Sequence, residues 1–322
     1  MTEVAGLALP FFGLIFIGFL AGRIWRKSES ELAWLNVFVI YFALPALFIR
    51  LVSQTPIDQL ANWSFVFATT LATFTAFAIA FAFAAIRNRG NIPEATLQGL
   101  VGGYGNVGYM GPPLALVALG PAAAVPAALV FCFDVALVFT LAPLMMALGG
   151  HGSGSLARLI LVEIPKRVLL HPFIISTLIG VLLAALEANL PAPIERLLEF
   201  LSNAAAPCAL FALGVTVALR PLKRMGAELP ALVAVKLLVH PVLVFVLLGW
   251  IGGFERIWVE TAVLMASLPP AATIYVIAVQ YDTYVFRSSS AIMIGTAASV
   301  FTVTGVLYLI THDLLPFGLF AR

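Results

Sequence analysis

The stretch that decides the fold is Gly102-Gly103-Tyr104-Gly105-Asn106-Val107-Gly108-Tyr109-Met110-Gly111-Pro112-Pro113. It lies inside an apolar segment, 95–119, that is long enough to cross a bilayer. Five glycines and a Pro-Pro pair interrupt a helix, because glycine loosens the backbone and proline removes an amide donor and clashes with the preceding turn. In hydrocarbon, freed backbone groups are tolerated only where protein or a water-filled cavity satisfies them. The stretch therefore predicts a membrane helix that is broken at mid-depth, where a binding site is expected.

The composition places the whole chain in the membrane. Of its 322 residues, 62% are hydrophobic and only 10% are charged, and the mean hydropathy is +1.08. A soluble domain is about a quarter charged, so a polytopic membrane protein is predicted. The net charge of +2 without a basic run gives no reason to expect a nucleic-acid partner. Cys132 and Cys208 lie in apolar segments, which predicts neither a disulfide framework nor a zinc site, and we expect no metal and no cofactor. The N-terminus lacks the basic residues of a cleaved signal peptide.

Hydropathy predicts an all-α protein with ten transmembrane helices. The ten apolar windows are 5–22, 32–52, 63–86, 95–119, 121–148, 168–186, 197–219, 229–251, 257–279 and 288–310. Gly120-Pro121 is all that separates the fourth window from the fifth, so the count is least certain there.

The loop charges support this count and orient the chain. One set of alternating loops holds Arg23, Arg26, Lys27, Arg87, Arg89, Arg158, Lys166, Arg167, Arg220, Lys223, Arg224 and Arg287. The opposite set holds only Arg50, Arg196, Arg256 and Arg322. Because basic loops stay cytoplasmic, both termini are predicted on the outer, periplasmic side of a bacterial inner membrane.

The chain divides into two halves of five helices. A flexible linker at 151–155 separates residues 1–150 from residues 151–322. With an odd number of helices each, two similar halves must have opposite orientations, the inverted-repeat plan of many secondary transporters. Both halves carry a proline in their second helix, Pro45 and Pro207, and a Pro-Pro pair in their fourth, Pro112-Pro113 and Pro269-Pro270. Prolines that merely kink these helices are the alternative, but interruptions at matching positions favour two broken helices that meet at a transport site.

Two such broken helices predict the class of ligand. A helix N-terminus presents unpaired amides and about half a positive charge, so two converging N-termini favour an anionic group, most simply a carboxylate. Asn106 can donate and accept hydrogen bonds to it, or else cap the first half-helix. Nearby hydroxyl groups can contribute, although packing and ordinary helix contacts are alternatives for them. The predicted substrate-binding residues are Gly105, Asn106, Gly108, Tyr109, Pro112, Pro113, Ser267, Pro269, Pro270, Thr273 and Tyr275.

Three ionisable residues lie deep in the membrane: Asp134, Lys236 and His240. Intramembrane charge is costly and marks a functional site by default. We expect Asp134 to neutralise Lys236, with protonation of this group coupled to substrate movement. The alternatives are a static ion pair, a lysine that reaches an interface, and a histidine that caps the break before Pro241. Pro45, Asn203 and Pro207 are interpreted as helix-break or scaffold residues, with Asn203 satisfying backbone freed by Pro207.

Four motifs in order resemble the auxin efflux carrier family. Its N-x-G-x-x-G-x-P motif is similar to Asn106–Pro113, and its second helix to Phe42-Ala43-Leu44-Pro45-Ala46-Leu47-Phe48. Its K-x-x-x-x-P eighth helix is similar to Lys236–Pro241, and its ninth to the segment Leu268–Ala278 followed by Tyr281. Plant PIN proteins and bacterial proteins named as malonate and malate permeases belong to this family. The similarity covers the whole chain.

The resemblance implies a distinct mechanism and assembly. It implies crossed broken fourth and ninth helices, a fold like that of bile-acid sodium symporters and NhaA, and a scaffold of the first, second, sixth and seventh helices. The third to fifth and eighth to tenth helices would move as a transport domain by an elevator-type mechanism, in a homodimer. The chain lacks the long cytoplasmic loop of PIN proteins, and Phe74, Phe77 and Phe81 stand on the third helix where PIN proteins carry an acidic and basic pair. Auxin and the PIN coupling arrangement are therefore in doubt, and Asp134 is a substitute for the absent acid.

These observations predict a secondary transporter of a small organic carboxylate, such as malonate, malate or an auxin-like anion, by uniport or proton coupling. A sodium-coupled symporter of bile-acid-like anions is the alternative, and a channel is less favoured because rings of charge are missing. A remote alternative is an intramembrane enzyme, but no H-E-x-x-H motif and no second deep aspartate is present, and the fourth helix lacks the Lys-Ser/Thr of a P-loop. We therefore predict no enzyme activity.

Overall fold

A computed structural model describes residues 2–26, 28–56, 60–151, 155–188, 190–219 and 226–317. Within these ranges every regular element is a helix, which confirms the all-α prediction. The helices are α1 Thr2–Trp25, α2 Ser30–Ser53, α3 Trp63–Arg87, α4 Ile92–Gly103, α5 Gly111–Leu119, α6 Pro121–His151, α7 Leu156–Leu169, α8 Pro172–Ala185, α9 Ala192–Leu219, α10 Leu229–Ile251, α11 Arg256–Ala266, α12 Thr273–Gln280 and α13 Val285–Thr311. Most of the predicted linker at 151–155 lies outside the described residues.

Several of these helices are suited to a bilayer. In the described part of the chain, α2, α3, α6, α9, α10 and α13 are each long and apolar enough to span it. A seventh span is possible if α7 and α8, which meet at a bend of 66°, are taken as one. The chain is thus a multi-pass membrane protein. Each of the ten predicted windows falls on one helix or on one pair of helices, while the count of ten spans and the 5+5 repeat remain predictions.

Two of the predicted windows fall on pairs of short helices. The fourth is divided into α4 and α5, which are separated by residues 104–110. The ninth is divided into α11 and α12, which are separated by residues 267–272. The interruptions coincide with the Gly-rich stretch and with the Ser-Leu-Pro-Pro segment, as the loss of helix-compatible amides requires.

Other prolines are accommodated without a break. A π-helical turn, Val39–Ala43, precedes Pro45 in α2, and a second one, Val235–Val239, precedes Pro241 in α10. A π turn widens the helix by one residue and relieves the clash that proline makes with the preceding turn. In α10 this turn contains Lys236 and ends directly before His240.

The helices pack in two sets. In one set, α1 lies along α9, and α2 packs against α8 and α9. In the other set, α3 packs against α4, α6 and α10, α10 packs against α11, and α13 packs against α10 and α12. Glycines allow the closest approach: a Cβ on Gly214 of α9 would overlap the carbonyl oxygen of Ile15, and one on Gly18 of α1 would overlap that of Phe211. The limits of the predicted domains stay a prediction.

A charged cluster joins three helices of the second set near their ends. Arg287 of α13 lies 3.0 Å from the Glu94 carboxylate of α4 and 3.5 Å from the Glu228 carboxylate at the start of α10. Glu228 is buried and accepts a 2.9 Å hydrogen bond from the Tyr284 hydroxyl. Burial and the neighbouring Glu228 raise the pKa of Tyr284 above its usual value, so this hydroxyl keeps its proton and donates.

Candidate functional site

The two interruptions meet and pair their backbones. The N–H of Asn106 donates to the carbonyl of Pro269 over 2.7 Å, and the N–H of Ala271 donates to the carbonyl of Tyr104 over 3.2 Å. Gly105 and Pro270 form an isolated antiparallel bridge between these bonds. Each break thereby satisfies part of the polar backbone that the other exposes, which is the condition for irregular backbone at membrane depth. We call this place the crossing.

The short helices that follow the breaks begin differently. Helix α5 starts at Gly111, so Pro112 and Pro113 occupy its first turn, where proline is favoured because the N–H groups there have no intrahelical acceptor. Because proline has no N–H, the first turn of α5 offers a ligand fewer amides than a helix N-terminus normally presents. Helix α12 starts at Thr273, after its Pro-Pro pair. The N–H groups of Ile274 and Tyr275 already donate to the carbonyls of Ala271 and Ala272, so the Thr273 N–H is the donor of this turn that stays available for a ligand.

A cavity of 490 Å³ lies beside the crossing. Its wall includes five of the predicted substrate-binding residues: Gly105, Asn106, Gly108, Tyr109 and Thr273. The other wall residues are mostly apolar or aromatic: Asn36, Ile40, Tyr41, Leu44, Tyr104, Phe131, Val135, Phe139, His171, Pro172, Phe173, Ala212, Leu213, Thr216, Ala271, Ala272 and Val276. Among the described residues, the wall contains no Lys, Arg, Asp or Glu. Any anion held here is therefore met by amides, hydroxyl groups and imidazole.

Asn106 has an unfilled hydrogen-bonding capacity at this wall. The residue is 2% exposed, and its backbone is engaged on both sides, with Pro269 through the N–H and with Met110 through the carbonyl. Its side-chain Nδ2 is buried and has no hydrogen-bond partner within the described part of the protein. A buried amide donor without a partner costs free energy, so a ligand in the cavity is a natural acceptor for it.

The other predicted residues lie behind or away from this wall. Pro112 and Pro113 are buried in α5, and the Ser267 hydroxyl donates to the carbonyl of Leu264 over 2.8 Å. Pro269 and Pro270 take part in the crossing through their backbones. The residues that lie outside the wall also include Tyr275, Pro45, Asn203 and Pro207, of which Asn203 is exposed.

Behind the crossing, four buried side chains form a continuous hydrogen-bonded chain. The Lys236 ammonium donates to the carbonyl of Ala266 over 2.5 Å and lies 2.9 Å from His240 Nδ1. His240 Nε2 lies 3.2 Å from the Thr73 hydroxyl, which donates to the Asp134 carboxylate over 2.9 Å. Thr73, Asp134, Lys236 and His240 are all at most 3% exposed. We call these four residues the relay.

The relay has one consistent direction of donation. A threonine hydroxyl carries one proton, and donating it to Asp134 requires that Thr73 accept from His240 Nε2–H. His240 Nδ1 is then free to accept from Lys236. Asp134 and Lys236 are both described and form no direct ion pair, and the neutralisation of one by the other stays a prediction. Hydrogen bonds through Thr73 of α3 and His240 of α10 connect the two charged groups.

The relay also touches the crossing. The Lys236 Nζ lies 3.1 Å from the position that a Cβ on Gly105 would occupy. The carbonyl that Lys236 binds belongs to Ala266, the last residue of α11 before the second break. A change in the charge of Lys236 therefore acts directly on the backbone of both broken segments.

Comparison with known proteins identifies the chain. A family model described as "Membrane transport protein" matches residues 4–307. The chain belongs to this family. It is 50% identical over 320 residues, covering 99% of this chain and all of the relative, to a protein of Rhizobium meliloti (strain 1021) named "Putative malonate transporter".

More distant relatives support the resemblance to auxin efflux carriers. An "Uncharacterized transporter" of Methanothermobacter thermautotrophicus is 26% identical over 291 residues, which cover 89% of this chain and 92% of the relative. A rice protein named "Probable auxin efflux carrier component 1b" is 28% identical over 156 residues, covering 47% of this chain and 28% of the rice protein. The predicted family is confirmed, and the protein is a membrane transporter rather than an enzyme.

Two residues of this transporter were not expected at functional positions. Thr73 was not singled out, because a threonine in a membrane helix normally bonds to its own backbone, as Thr69 and Thr75 do here. His171 stands near the start of a predicted span and reads as an interfacial residue, but it belongs to the cavity wall. No pattern in a single sequence distinguishes either residue from its structural counterparts.

Proposed function

We propose that this protein is a secondary transporter that carries a small organic carboxylate, such as malonate or malate, across the bacterial inner membrane. The observation that carries the proposal is the unpartnered Asn106 amide in the wall of a cavity beside the crossing. The carboxylate accepts from Asn106 and from the N–H of Thr273 at the start of α12, which lies in the same wall. The name of the 50% identical relative supports the same class of substrate.

In this proposal the transporter has ten spans in two inverted halves, residues 1–150 and 151–322, with both termini outside. Helices α1, α2, α7, α8 and α9 form a scaffold through which two copies associate, and the other helices move against it with the crossing. The packing of the helices in two sets supports this division. Elevator-type movement would expose the cavity alternately to the two sides of the membrane.

Proton coupling follows from the relay. When Lys236 gives a proton to His240 Nδ1, His240 passes its Nε2 proton to Thr73, and Thr73 passes its hydroxyl proton to Asp134. The side chains of Lys236 and Asp134 are then both neutral, and each of the four relay residues has a normal number of bonds. A proton taken up from solvent leaves the relay with a net charge of +1, which offsets one negative charge of the bound carboxylate and so lowers the cost of moving the loaded site through the membrane.

Uptake of radiolabelled malonate and malate into proteoliposomes tests the proposal. We expect uptake driven by an inward proton gradient, and no requirement for sodium. Asn106→Ala should reduce uptake about tenfold or more, because it removes a hydrogen bond to a charged group. Asn203→Ala, the same change at an exposed position outside the cavity, is the matched control and should retain uptake.

The outcomes separate the alternatives. Uptake that requires a sodium gradient would replace proton coupling by sodium coupling. Wild-type protein that carries no carboxylate, or Asn106→Ala protein that carries it as well as the control does, would overturn the proposed site.

A further inference from the structure

His171 lies at the bend between α7 and α8 and forms part of the cavity wall. Its Nδ1 is buried and has no hydrogen-bond partner among the described residues. The imidazole packs between two aromatic rings, with centroid distances of 5.2 Å to Phe139 and 5.0 Å to Phe173. Packing alone explains a ring at this position, but it does not explain a ring that carries an unsatisfied polar atom.

The N-terminus of α8, for which His171 is the N-cap residue, also has backbone N–H groups without a partner among the described residues. His171 is the N-cap residue of the fourteen-residue helix α8, and its side chain makes no capping hydrogen bond. The first intrahelical bond runs from the N–H of Ile175 to the carbonyl of His171 over 3.0 Å. Pro172 has no N–H, so Phe173 and Ile174 supply the first donors of a helix terminus that favours negative charge.

The unpartnered Nδ2 of Asn106, a residue that is only 2% exposed, lies in the wall of the same cavity. Asn106 lies in the first break and His171 lies between α7 and α8, and both stand in the wall of this cavity. Two unfilled polar groups in a cavity of 490 Å³ indicate a ligand that is polar at two places.

Apolar surface connects the two places. A Cβ on Gly108, next to the crossing, would lie 3.2 Å from the Phe131 ring. The Phe131 and Phe173 rings lie 4.9 Å apart, and Phe173 contacts His171. A short hydrocarbon chain packs well on such rings, while its two polar ends reach Asn106 and His171.

We infer that His171 and the start of α8 form a second carboxylate subsite, which makes the transporter selective for dicarboxylates over monocarboxylates. One carboxylate lies at the crossing and the other accepts hydrogen bonds from His171 and from the first amides of α8. This inference rests on the proposed function, and it adds a residue that determines specificity. His171 acts by binding the substrate and has no part in the proton relay.

Binding of matched ligand pairs to the purified protein tests this inference. Each pair consists of a dicarboxylate and its half-amide, malonate with malonamate and succinate with succinamate, which have nearly the same size but differ by one charge. We expect wild-type protein to prefer the dicarboxylate by tenfold or more, as charge-assisted hydrogen bonds of about 1.5–3 kcal/mol imply. The succinate pair shows which chain length spans the two subsites.

The variants isolate the imidazole nitrogen. His171→Phe keeps the stacked ring, and it should reduce the preference to about threefold or less while half-amide binding changes little. His171→Gln keeps a donor and should restore part of the preference. His312→Phe makes the same change outside the cavity, at an exposed imidazole that stacks on Tyr308, and should leave the preference as in the wild type. Thermal unfolding shows whether the His171→Phe variant is folded. If it is not, His171→Leu is compared with the wild type on the same ligand pairs.

The results distinguish the inference from the proposed function. A His171→Phe variant that binds both ligands with the wild-type preference overturns the inference, and the carboxylate transporter stands. Wild-type protein that binds neither member of any pair overturns both. Equal affinity of the wild type for a dicarboxylate and its half-amide shows a single carboxylate subsite and also overturns the inference.

Discussion

Thr73 is the residue on which the proton relay depends, because its hydroxyl joins Asp134 to His240. We predict that Thr73→Val, which keeps the shape and removes the hydroxyl, interrupts the relay. If protons enter with the anion, as we propose, acidifying the outside of wild-type proteoliposomes should raise uptake. In the variant this stimulation should fall by about tenfold or more, with carboxylate binding largely retained.

Thr69→Val is the control for this prediction. Thr69 lies one turn earlier on α3, and its hydroxyl bonds only to backbone carbonyls of its own helix, Phe65 and Val66. Its removal should leave the pH dependence unchanged. Thr73→Val protein whose uptake still rises normally in acid would show that protons follow another path.

At the residue scale, the sequence shows which side chains are candidates for a function better than it shows which other side chains they contact. Asp134, Lys236 and His240 are recognisable because charge is rare in apolar helices, and the structure does bring them together in the relay. Their connection through Thr73 depends on how α3 and α10 are rotated about their axes. A single sequence does not contain that rotation, so it does not show that Thr73 and His240 stand between Asp134 and Lys236.

At the element scale, proline and glycine predict the breaks well. Residues 104–110 and 267–272 are non-helical where the sequence indicates, but the sequence does not show that α5 already begins at Gly111. The sixth window was expected at 168–186, whereas the structure continues the bent pair back to Leu156. The local hydropathy of this stretch is lowered by four charged residues, Arg158, Glu163, Lys166 and Arg167. A hydropathy window that measures only apolar length therefore does not include it.

Gly214 controls the contact of α1 with α9. A Cβ at this position would overlap the carbonyl oxygen of Ile15 and lie 2.8 Å from the Phe19 nitrogen, and backbone atoms cannot move aside as a side chain can. We predict that Gly214→Ala destabilises the protein by about 1–3 kcal/mol through overpacking. Thermal unfolding in detergent measures this as a lower Tm. Gly13→Ala in α1, where a Cβ meets no atom within 4 Å, is the matched control.

The sign of the Gly214 effect is informative. The helix propensity of alanine alone would stabilise α9 by up to about 1 kcal/mol. An unchanged or raised Tm for Gly214→Ala would therefore mean that α1 and α9 are not packed as closely as the structure has them.

At the scale of the whole molecule, the two sets of helices meet at several places, among them α13 against α1 and α6 against α8. Cys132 of α6 is buried, and its sulfur lies 3.2 Å from the Thr177 hydroxyl of α8. The sequence alone does not show this neighbourhood, because it arises from the packing of two helices that are not adjacent in the chain. If the crossing moves against a scaffold, these two atoms must separate in every transport cycle.

A reversible cross-link at this position tests the movement. In a Cys208→Ser background, Thr177→Cys places a second thiol beside Cys132, whose sulfur lies 3.2 Å from the hydroxyl that is replaced. We predict that oxidation reduces malonate uptake to background and that a reducing agent restores it. The same Thr177→Cys variant carrying Cys132→Ser cannot form the link and should keep its uptake after oxidation. Mass spectrometry shows whether the disulfide has formed completely. If it has and uptake is unchanged, α6 and α8 move together, and the proposed division into a scaffold and a moving domain is wrong.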